Sequence, residues 1–497
     1  MKKVLTGQRM REIDRNTIEE YKMPVEVLIE RAALQVFSFI ESNLSKNLSY
    51  AIVSGVGSNG ADGIALYRIM KLRGYRVDLY QIAHDNELSP NAQRQKRIAA
   101  NYGMEVKTEA HNLNYYDVIL DALLGTGLNR DVSGVCADWI NAINNTKAIK
   151  IAIDIASGIS SDDGKIMGVA VRADYTITFA YAKCGQLLYP GREYTGELIV
   201  SDVGIYETQK KYGYYRLEKE DSCLLPDRIN DSYKGTYGKV LCIASKKGMS
   251  GAGFFAASAA YLMGAGLVKI YAPEENRNIL QTQLPEAMIS TYERFEEEEL
   301  IEEIKWADSI VLGPGIGTDR VAERIVDCVL KNASVPVVID ASALTIISKN
   351  PERLKMPHSE LILTPHYGEM AALMGVSVPY IHENALRTVE EFSRNYNVTC
   401  VLKGSTTIIS VPFGDTFFST LGNNGMATGG SGDVLSGMIA GALGYTRDVK
   451  NAVIASVVIH SEAGNIARDY NGQYSMTARD ILDGIKIYKL PKLEEGM

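Results

Sequence analysis

The sequence predicts an α/β protein of two domains, each built on a mostly parallel sheet. Three observations carry that expectation. The chain has 497 residues, more than the roughly 250–300 that a single hydrophobic core supports. Short β-branched or apolar runs alternate with helical periodicity from end to end, which is the pattern of βαβ units. Glycine clusters fall where strands run into helices, at 55–63 and at 423–432.

Along the chain, two helices are expected at 7–20 and 25–42, followed by a strand at 50–54 and a Gly-rich turn. The helix after the turn shows its apolar spacing in Leu66, Ile69 and Met70. Further strands are expected at 76–82, 117–121, 149–154, 175–179 and 198–202. Strands separated by helices of this length pair in parallel, because a parallel neighbour needs a crossover connection. Between 202 and 225 the pattern lapses into Tyr206, Lys210, Lys211, Tyr212, Tyr214 and Tyr215. That segment places the domain boundary, giving domains 1–215 and 216–497, and its aromatic residues suggest a packed connection. A second series of strands follows at 239–243, 267–271, 309–312, 335–339, 361–364, 398–402 and 406–411, with strong helices at 431–443 and 452–467. The acidic run 296–299 reads as a solvated helix face.

Composition narrows the function. The chain is 46% hydrophobic and 23% charged, as an ordinary globular protein is. Lys plus Arg number 52 and Asp plus Glu 60, a net charge of −8 that disfavours nucleic acid as a partner. A small anionic ligand needs no net basic charge, since backbone N–H groups at a helix N-terminus can hold a phosphate. No apolar run approaches the roughly 20 residues that span a bilayer, so no membrane partner is expected. Cys136, Cys184, Cys223, Cys242, Cys328 and Cys400 lie far apart without a CxxC pair. That fits reduced thiols in a cytoplasmic protein. Small-molecule substrates and a homo-oligomer are expected.

Three segments of the first half end predicted strands with glycine and polar residues: the 55–63 turn, Asp121 with Gly125-Thr-Gly127, and Asp154 with Ser157 and Gly158. Ligands of open parallel sheets bind beyond the carboxyl ends of the strands, so the three can converge on one crevice. Asn59, Asp121 and Ser157 are hard oxygen donors suited to K⁺. Read blandly, Asp62 is a helix cap and the glycines make a tight turn. In the second half, 423–433 places a Gly-rich nest ahead of a helix and puts Asp433 in its first turn. Consecutive N–H groups neutralise phosphoryl charge while a neighbouring carboxylate takes a proton from an attacking hydroxyl. Lys403-Gly-Ser-Thr-Thr407, Gly313-Pro-Gly-Ile-Gly317 and His366 in Thr364-Pro-His-Tyr-Gly-Glu369 lie at other strand ends of this half. No segment has the GxxxxGK[ST] spacing of a P-loop.

Together these motifs resemble the bifunctional NAD(P)H-hydrate repair enzymes over nearly the whole chain. The first half is similar to an NAD(P)H-hydrate epimerase domain with a three-layer, Rossmann-like α/β fold. The second is similar to an ADP-dependent dehydratase of the ribokinase-like fold, matching also at Gly248-Met-Ser-Gly-Ala252 and Gly264-Ala-Gly-Leu-Val268. The resemblance implies epimerisation of the R and S hydrates and dehydration of the S form with ADP, giving NAD(P)H, AMP and phosphate. The first pocket would bind the hydrate through Ser58, Asn59, Gly60, Ala61 and Asp62, through Gly125, Thr126, Gly127, Leu128, Asn129, Arg130 and Asp131, and through Asp154. K⁺ would sit on Asn59, Asp121 and Ser157, and Asp154 and Lys183 are the candidate acid–base groups. In the second pocket Ala252, Gly317, His366 and Asp433 would face the hydrate, with Asp433 as base. Lys403, Gly404, Ser405, Thr406 and Thr407 would hold ADP and its Mg²⁺, together with Asn423, Asn424, Gly425, Met426, Ala427, Thr428, Gly429, Gly430, Ser431 and Gly432. Ser58, Ala61 and Ala156 stand where the family usually carries Asn, Gly and Pro, and Ala61 is expected to add a methyl group beside the ligand. The alternative is a ribokinase-like small-molecule kinase fused to a nucleotide-binding domain.

Overall fold

The computed structural model describes residues 1–108, 112–207 and 213–490. The chain resolves into two compact units, Lys3–Gly213 and Tyr214–Met497, the latter taking in Met1–Lys2. A cut at 215/216 would fall inside the strand Tyr214–Arg216, so the physical divide lies two residues earlier. Lys210, Lys211 and Tyr212 of the expected connection lie outside the described residues.

The N-terminal unit is built on six parallel strands. Their spatial order is Arg76–Gln81, Ser49–Ser54, Val118–Ala122, Ile149–Ile153, Tyr175–Phe179 and Glu197–Ser201. Side chains alternate across the sheet, so Ile52 joins the core cluster beneath helices Val25–Asn43 and Ser58–Leu72. Ala51 and Val53 join Trp139, Ile140 and Ile143 of helix Val135–Asn144 in the opposite layer. The chain runs from Ser49–Ser54 outward to Arg76–Gln81 and then back to Val118–Ala122 on the other side. The carboxyl ends of Ser49–Ser54 and Val118–Ala122 therefore frame a topological switch point, where open α/β sheets bind ligands.

In the C-terminal unit seven strands run parallel, in the order Met288–Tyr292, Leu267–Pro273, Lys239–Ile243, Ser309–Leu312, Val337–Ile339, Leu361–Leu363 and Thr399–Leu402. Thr407–Ser410 and Thr416–Ser419 continue the sheet antiparallel. Its switch point lies between Lys239–Ile243 and Ser309–Leu312. Helices Ser250–Leu262 and Ser431–Leu443 pack closely: a Cβ on Gly437 would lie 2.1 Å from the Ala256 carbonyl oxygen, so only glycine permits that approach.

Most expected strands and helices are present with shifted ends, and each shift has a local cause. The strand expected at 335–339 starts at Val337, since Pro336 has no N–H for the ladder. The helix expected at 452–467 runs from Val449 to Asn471, capped by Asp448, which accepts from Asn451 N, and stopped at Gly472 with φ 81°. Met288–Tyr292, Thr416–Ser419 and Tyr214–Arg216 are strands that periodicity did not reveal. The last explains the tyrosines of the boundary segment: Tyr215 stacks on Phe417 of the paired strand at 5.7 Å. Glu297, Glu298 and Glu299 open helix Glu297–Trp306, whose buried side is Leu300 and Ile304, as the solvated-face reading expects. Among the described residues no helix is long and apolar enough to cross a membrane.

Candidate active sites

The 55–63 turn is shorter than its glycines suggest. Helix Ser58–Leu72 begins inside it with Gly57 as N-cap, so Asn59, Gly60, Ala61 and Asp62 occupy the first turns and Asp62 is not the cap. Glycine is needed at 55 because a Cβ there would lie 1.9 Å from the Leu123 carbonyl oxygen. This approach brings the helix start against the end of Val118–Ala122. Asn59 Nδ2 donates to the Leu124 carbonyl at 2.9 Å, while Asn59 Oδ1 is buried with no hydrogen-bond partner. Asp121, fully buried, accepts from Ser157 Oγ at 2.6 Å, Ser157 N at 2.8 Å and Leu123 N at 3.1 Å. Burial raises its carboxyl to about 6 against those hydrogen bonds. Asp121 and Ser157 are thus directly bonded, and Asn59 is linked to them through Leu124, whose N donates to Ser157 Oγ at 2.8 Å. Gly125 lies beside them, since a Cβ there would be 3.4 Å from Asn59 Cβ. The Thr126 carbonyl accepts from Ser161 Oγ and Arg11, whereas Gly127, Asn129, Arg130 and Asp131 are exposed. Ala61 corrects an expectation. Its methyl group is fully buried in the apolar core, because the early helix start turns residue 61 inward.

Asp154 sits just past strand Ile149–Ile153 with φ 66°, a left-handed conformation uncommon outside glycine and concentrated at functional sites. Lys183, 1% exposed, donates to Asp154 Oδ1 at 2.5 Å, to Thr178 Oγ1 at 2.6 Å and to the Phe179 carbonyl at 3.3 Å. Gln186 fixes both neighbours, donating to the Asp154 carbonyl and accepting from Lys183 N. Two further carboxyls face this ion pair. Asp14 is raised to about 6 by burial and by Asp154, against Lys183. Asp62 is raised well above its ordinary value by burial, Asp154 and Asp14.

In the C-terminal unit Asp433 occupies the first turn of Ser431–Leu443, whose N-cap Gly430 has φ 93°. A side chain at 430 would meet Phe255 at 2.8 Å, so glycine is required there on both counts. Lys403 Nζ donates to Asp340 Oδ1 at 2.8 Å. A Cβ on Gly432 would lie 3.2 Å from Lys403 Nζ and 3.6 Å from Asp340 Oδ2, which sets the Gly-rich turn against this pair. Gly429 faces open space. Burial, Asp340 and Glu369 push Asp433 up to about 7, with Lys403 opposing. Burial lowers Lys403, but Asp340 and Glu369 outweigh it and its net shift is upward. Glu369 is raised by burial and Asp340 against Lys403.

The other expected residues gather here in part. His366 pairs with Lys403 across a parallel bridge. Its Nδ1 caps helix Tyr367–Met374, accepting from Gly368 N at 2.9 Å, and its Nε2 lies 3.7 Å from Glu369 Oε2. Gly315 meets Ala252, Gly317 meets Lys246, and Gly313, with φ 125°, abuts the Asp340 carbonyl. Gly404 and Ser405 are exposed, whereas Thr406 is buried. The Asn423 and Met426 side chains are engaged elsewhere: Asn423 Nδ2 donates to the Gly464 carbonyl, and the Met426 sulfur packs over Gly464. Asp340 and Asp14 escaped the sequence reading. One is a lone acid after a three-residue strand and the other a helix-face acid, and neither spacing signals chemistry. Among the described residues no three His, Cys, Asp or Glu side chains form a metal cage.

Two family models match the chain. Residues 240–486 match the NAD(P)H-hydrate dehydratase family model, and residues 25–185 match the YjeF-related protein N-terminus. A bifunctional NAD(P)H-hydrate repair enzyme of Moorella thermoacetica is 34% identical, covering 99% of this chain and 97% of the relative. One from Escherichia coli is 31% identical over 94% of this chain and 90% of the relative. A ribokinase-like superfamily protein from Enterococcus faecalis superposes with a TM-score of 0.51 at 30% identity, covering 57% of this chain and 100% of that one. The C-terminal unit therefore has the ribokinase-like fold, and the chain belongs to the bifunctional NAD(P)H-hydrate repair enzymes.

Proposed function

We propose that the N-terminal unit interconverts the R and S hydrates of NADH and NADPH and that the C-terminal unit dehydrates the S hydrate with ADP. The observation that carries the second half of this reading is Asp433 lying beside the Gly-rich helix start and the Lys403/Asp340 pair. The hydrate carries a hydroxyl on the carbon next to the ring nitrogen, and hydroxide is a poor leaving group. Asp433 accepts the hydroxyl proton as the oxygen attacks the terminal phosphorus of ADP, and AMP departs. The N–H groups of 429–432 and the Lys403 ammonium stabilise charge on the migrating phosphoryl group. The ring-nitrogen lone pair then expels phosphate, and loss of a proton from the neighbouring carbon restores the dihydropyridine. His366 Nε2 and the 313–317 turn line the hydrate side.

The donor sets fit the expected cations differently. The unpartnered Asn59 Oδ1, beside Asp121 and Ser157, suits K⁺, which when bound offsets negative charge on the substrate's phosphates. Among the described residues the second site offers no cage of protein ligands, so Mg²⁺ would enter with the nucleotide and would supply charge neutralisation of its phosphates. The six cysteines are all free thiols, which supports a cytoplasmic setting. Incubation with hydrated NADH, ADP and Mg²⁺ should restore the dihydronicotinamide absorbance and release AMP and phosphate. A stable phosphoester among the products would point to a kinase instead.

A further inference from the structure

We propose that Asp14 and Asp62 are the base and the acid of the epimerase, and that Asp154, fixed by Lys183, orients the substrate through Oδ2. This assignment rests on the epimerase reading of the N-terminal unit. Asp154 and Lys183 are the obvious acid–base pair, but the Lys183 ammonium and Asp154 Oδ1 are already fully engaged. Lys183 donates to Asp154, Thr178 and the Phe179 carbonyl, and Asp154 Oδ1 accepts from Lys183, Thr178 Oγ1 and Phe179 N. Moving a proton through this pair would break an ion pair whose lysine is fully buried, which is strongly disfavoured. Asp154 can hold a ligand only through Oδ2.

Asp14 and Asp62 differ in kind. Neither carboxyl accepts a hydrogen bond from any described residue, although both are crowded by Asp154. They come from separate elements that meet at the switch point. Asp14 lies on helix Gly7–Glu19, pinned by Arg11 to the Thr126 carbonyl and by Gly7 N to Asp162 at 2.7 Å. Asp62 lies one turn beyond Asn59, whose buried, unpartnered Oδ1 independently marks this helix start as built around a ligand. The groups facing Asp14 are Asp154, Lys183 and Asp62. Burial and Asp154 raise both carboxyls, Asp14 to about 6 and Asp62 well above its ordinary value, which suits the first as base and the second as acid.

Epimerisation needs that combination. The hydrate is a hemiaminal. Asp14 takes the hydroxyl proton, the oxygen forms a carbonyl, and the carbon–nitrogen bond breaks with its electron pair going to nitrogen. Asp62 protonates the nitrogen. Rotation of the freed aldehyde presents its other face, nitrogen re-attacks, and both protons return, so the reaction is balanced with no co-reactant.

The test uses the full chain, one purified epimer of hydrated NADH and no ADP, with the epimers resolved by chromatography and spontaneous exchange subtracted. Wild-type kcat should rise with pH through about 6. Asp14→Asn should lose on the order of 100-fold or more in kcat, keep KM within a few-fold and lose that pH limb. Asp14→Glu should restore part of the rate, and Asp62→Asn should lose kcat in the same way. Asp14→Asn retaining kcat and its limb, or changing KM alone, overturns the assignment. A wild-type profile flat through pH 6 overturns it without recourse to any variant. Failure of the wild type to exceed spontaneous exchange would instead remove the epimerase reading itself.

Discussion

Dehydration should be gated by the ionisation of Asp433. Burial and the carboxylates of Asp340 and Glu369 hold this group at about 7, against the pull of Lys403. Only the ionised form can take the hydroxyl proton, so kcat should fall about tenfold per unit as pH drops below about 7, and level off above it. Asp433→Asn should cost about 100- to 10,000-fold in kcat, the usual worth of a general base, with ADP affinity within a few-fold because the 429–432 N–H groups are untouched. The neighbours supply a sharper test. Asp340→Asn removes a negative charge beside Asp433 and should move the limb to lower pH. Lys403→Met removes the opposing positive charge and should move it to higher pH, each by on the order of one unit. The assay is recovery of dihydronicotinamide absorbance at saturating ADP and S hydrate, between about pH 5 and 9. An Asp433→Asn enzyme retaining a tenth of wild-type kcat would refute the base assignment. Limbs moving in the same direction in the two charge variants would refute the electrostatic account.

A chain beginning at Tyr214 should fold and keep ADP-dependent dehydration, whereas one beginning at Leu217 loses the strand paired with Thr416–Ser419 and should melt earlier by circular dichroism. Asp121→Ala should remove the carboxylate that ties Ser157 to the Asn59 side. An equal mixture of epimers with ADP should then be consumed in two phases, the second at the spontaneous exchange rate, and a single unchanged phase would show Asp121 to be dispensable. His460 is buried beside the Ser431 carbonyl and its imidazole is lowered to about 4, mainly by burial. Its folded value lies below the unfolded 6.5, so its contribution is complete above about pH 6.5 and is lost as pH falls towards 4, by up to about 3 kcal/mol. Urea unfolding of His460→Gln should depend less steeply on pH across that window than the wild type.

The sheets and the glycine turns were legible because their signals are local. A strand shows as an apolar run, and a Gly-rich strand end shows where backbone must approach backbone, as Gly55 does to Leu123. What was not legible depends on tertiary burial. Asp14 lies among Arg9, Arg11, Glu12 and Arg15, and charges on such a helix ordinarily face water. Only the packing of that helix over Asp154 and Lys183 makes Asp14 special. Ala61 misled in the opposite direction. Within a Gly-rich run it reads as pocket lining, but a helix starting three residues earlier sends its methyl group into the core.

The two sites, on different folds, arrive at one electrostatic device. In each, an aspartate just past a central parallel strand is paired with a lysine: Asp154 with Lys183, and Asp340 with Lys403. The ion pair leaves the local charge negative, because further carboxyls crowd it: Asp14 and Asp62 in one unit, Asp433 and Glu369 in the other. These carboxyls are desolvated and face like charge, and both effects favour the protonated form. The lysine limits the rise, holding Asp14 at about 6 and Asp433 at about 7. A carboxyl poised near neutrality can take a proton from a hydroxyl and give it back, which an ordinary surface aspartate does poorly. On the proposed assignments the same hydroxyl would meet such a group in both units. Ring opening follows where the nitrogen can be protonated, as Asp62 would allow, and phosphorylation follows where glycine N–H groups can hold ADP. On those assignments the partner of the poised carboxyl, rather than the carboxyl itself, would decide which reaction each unit performs.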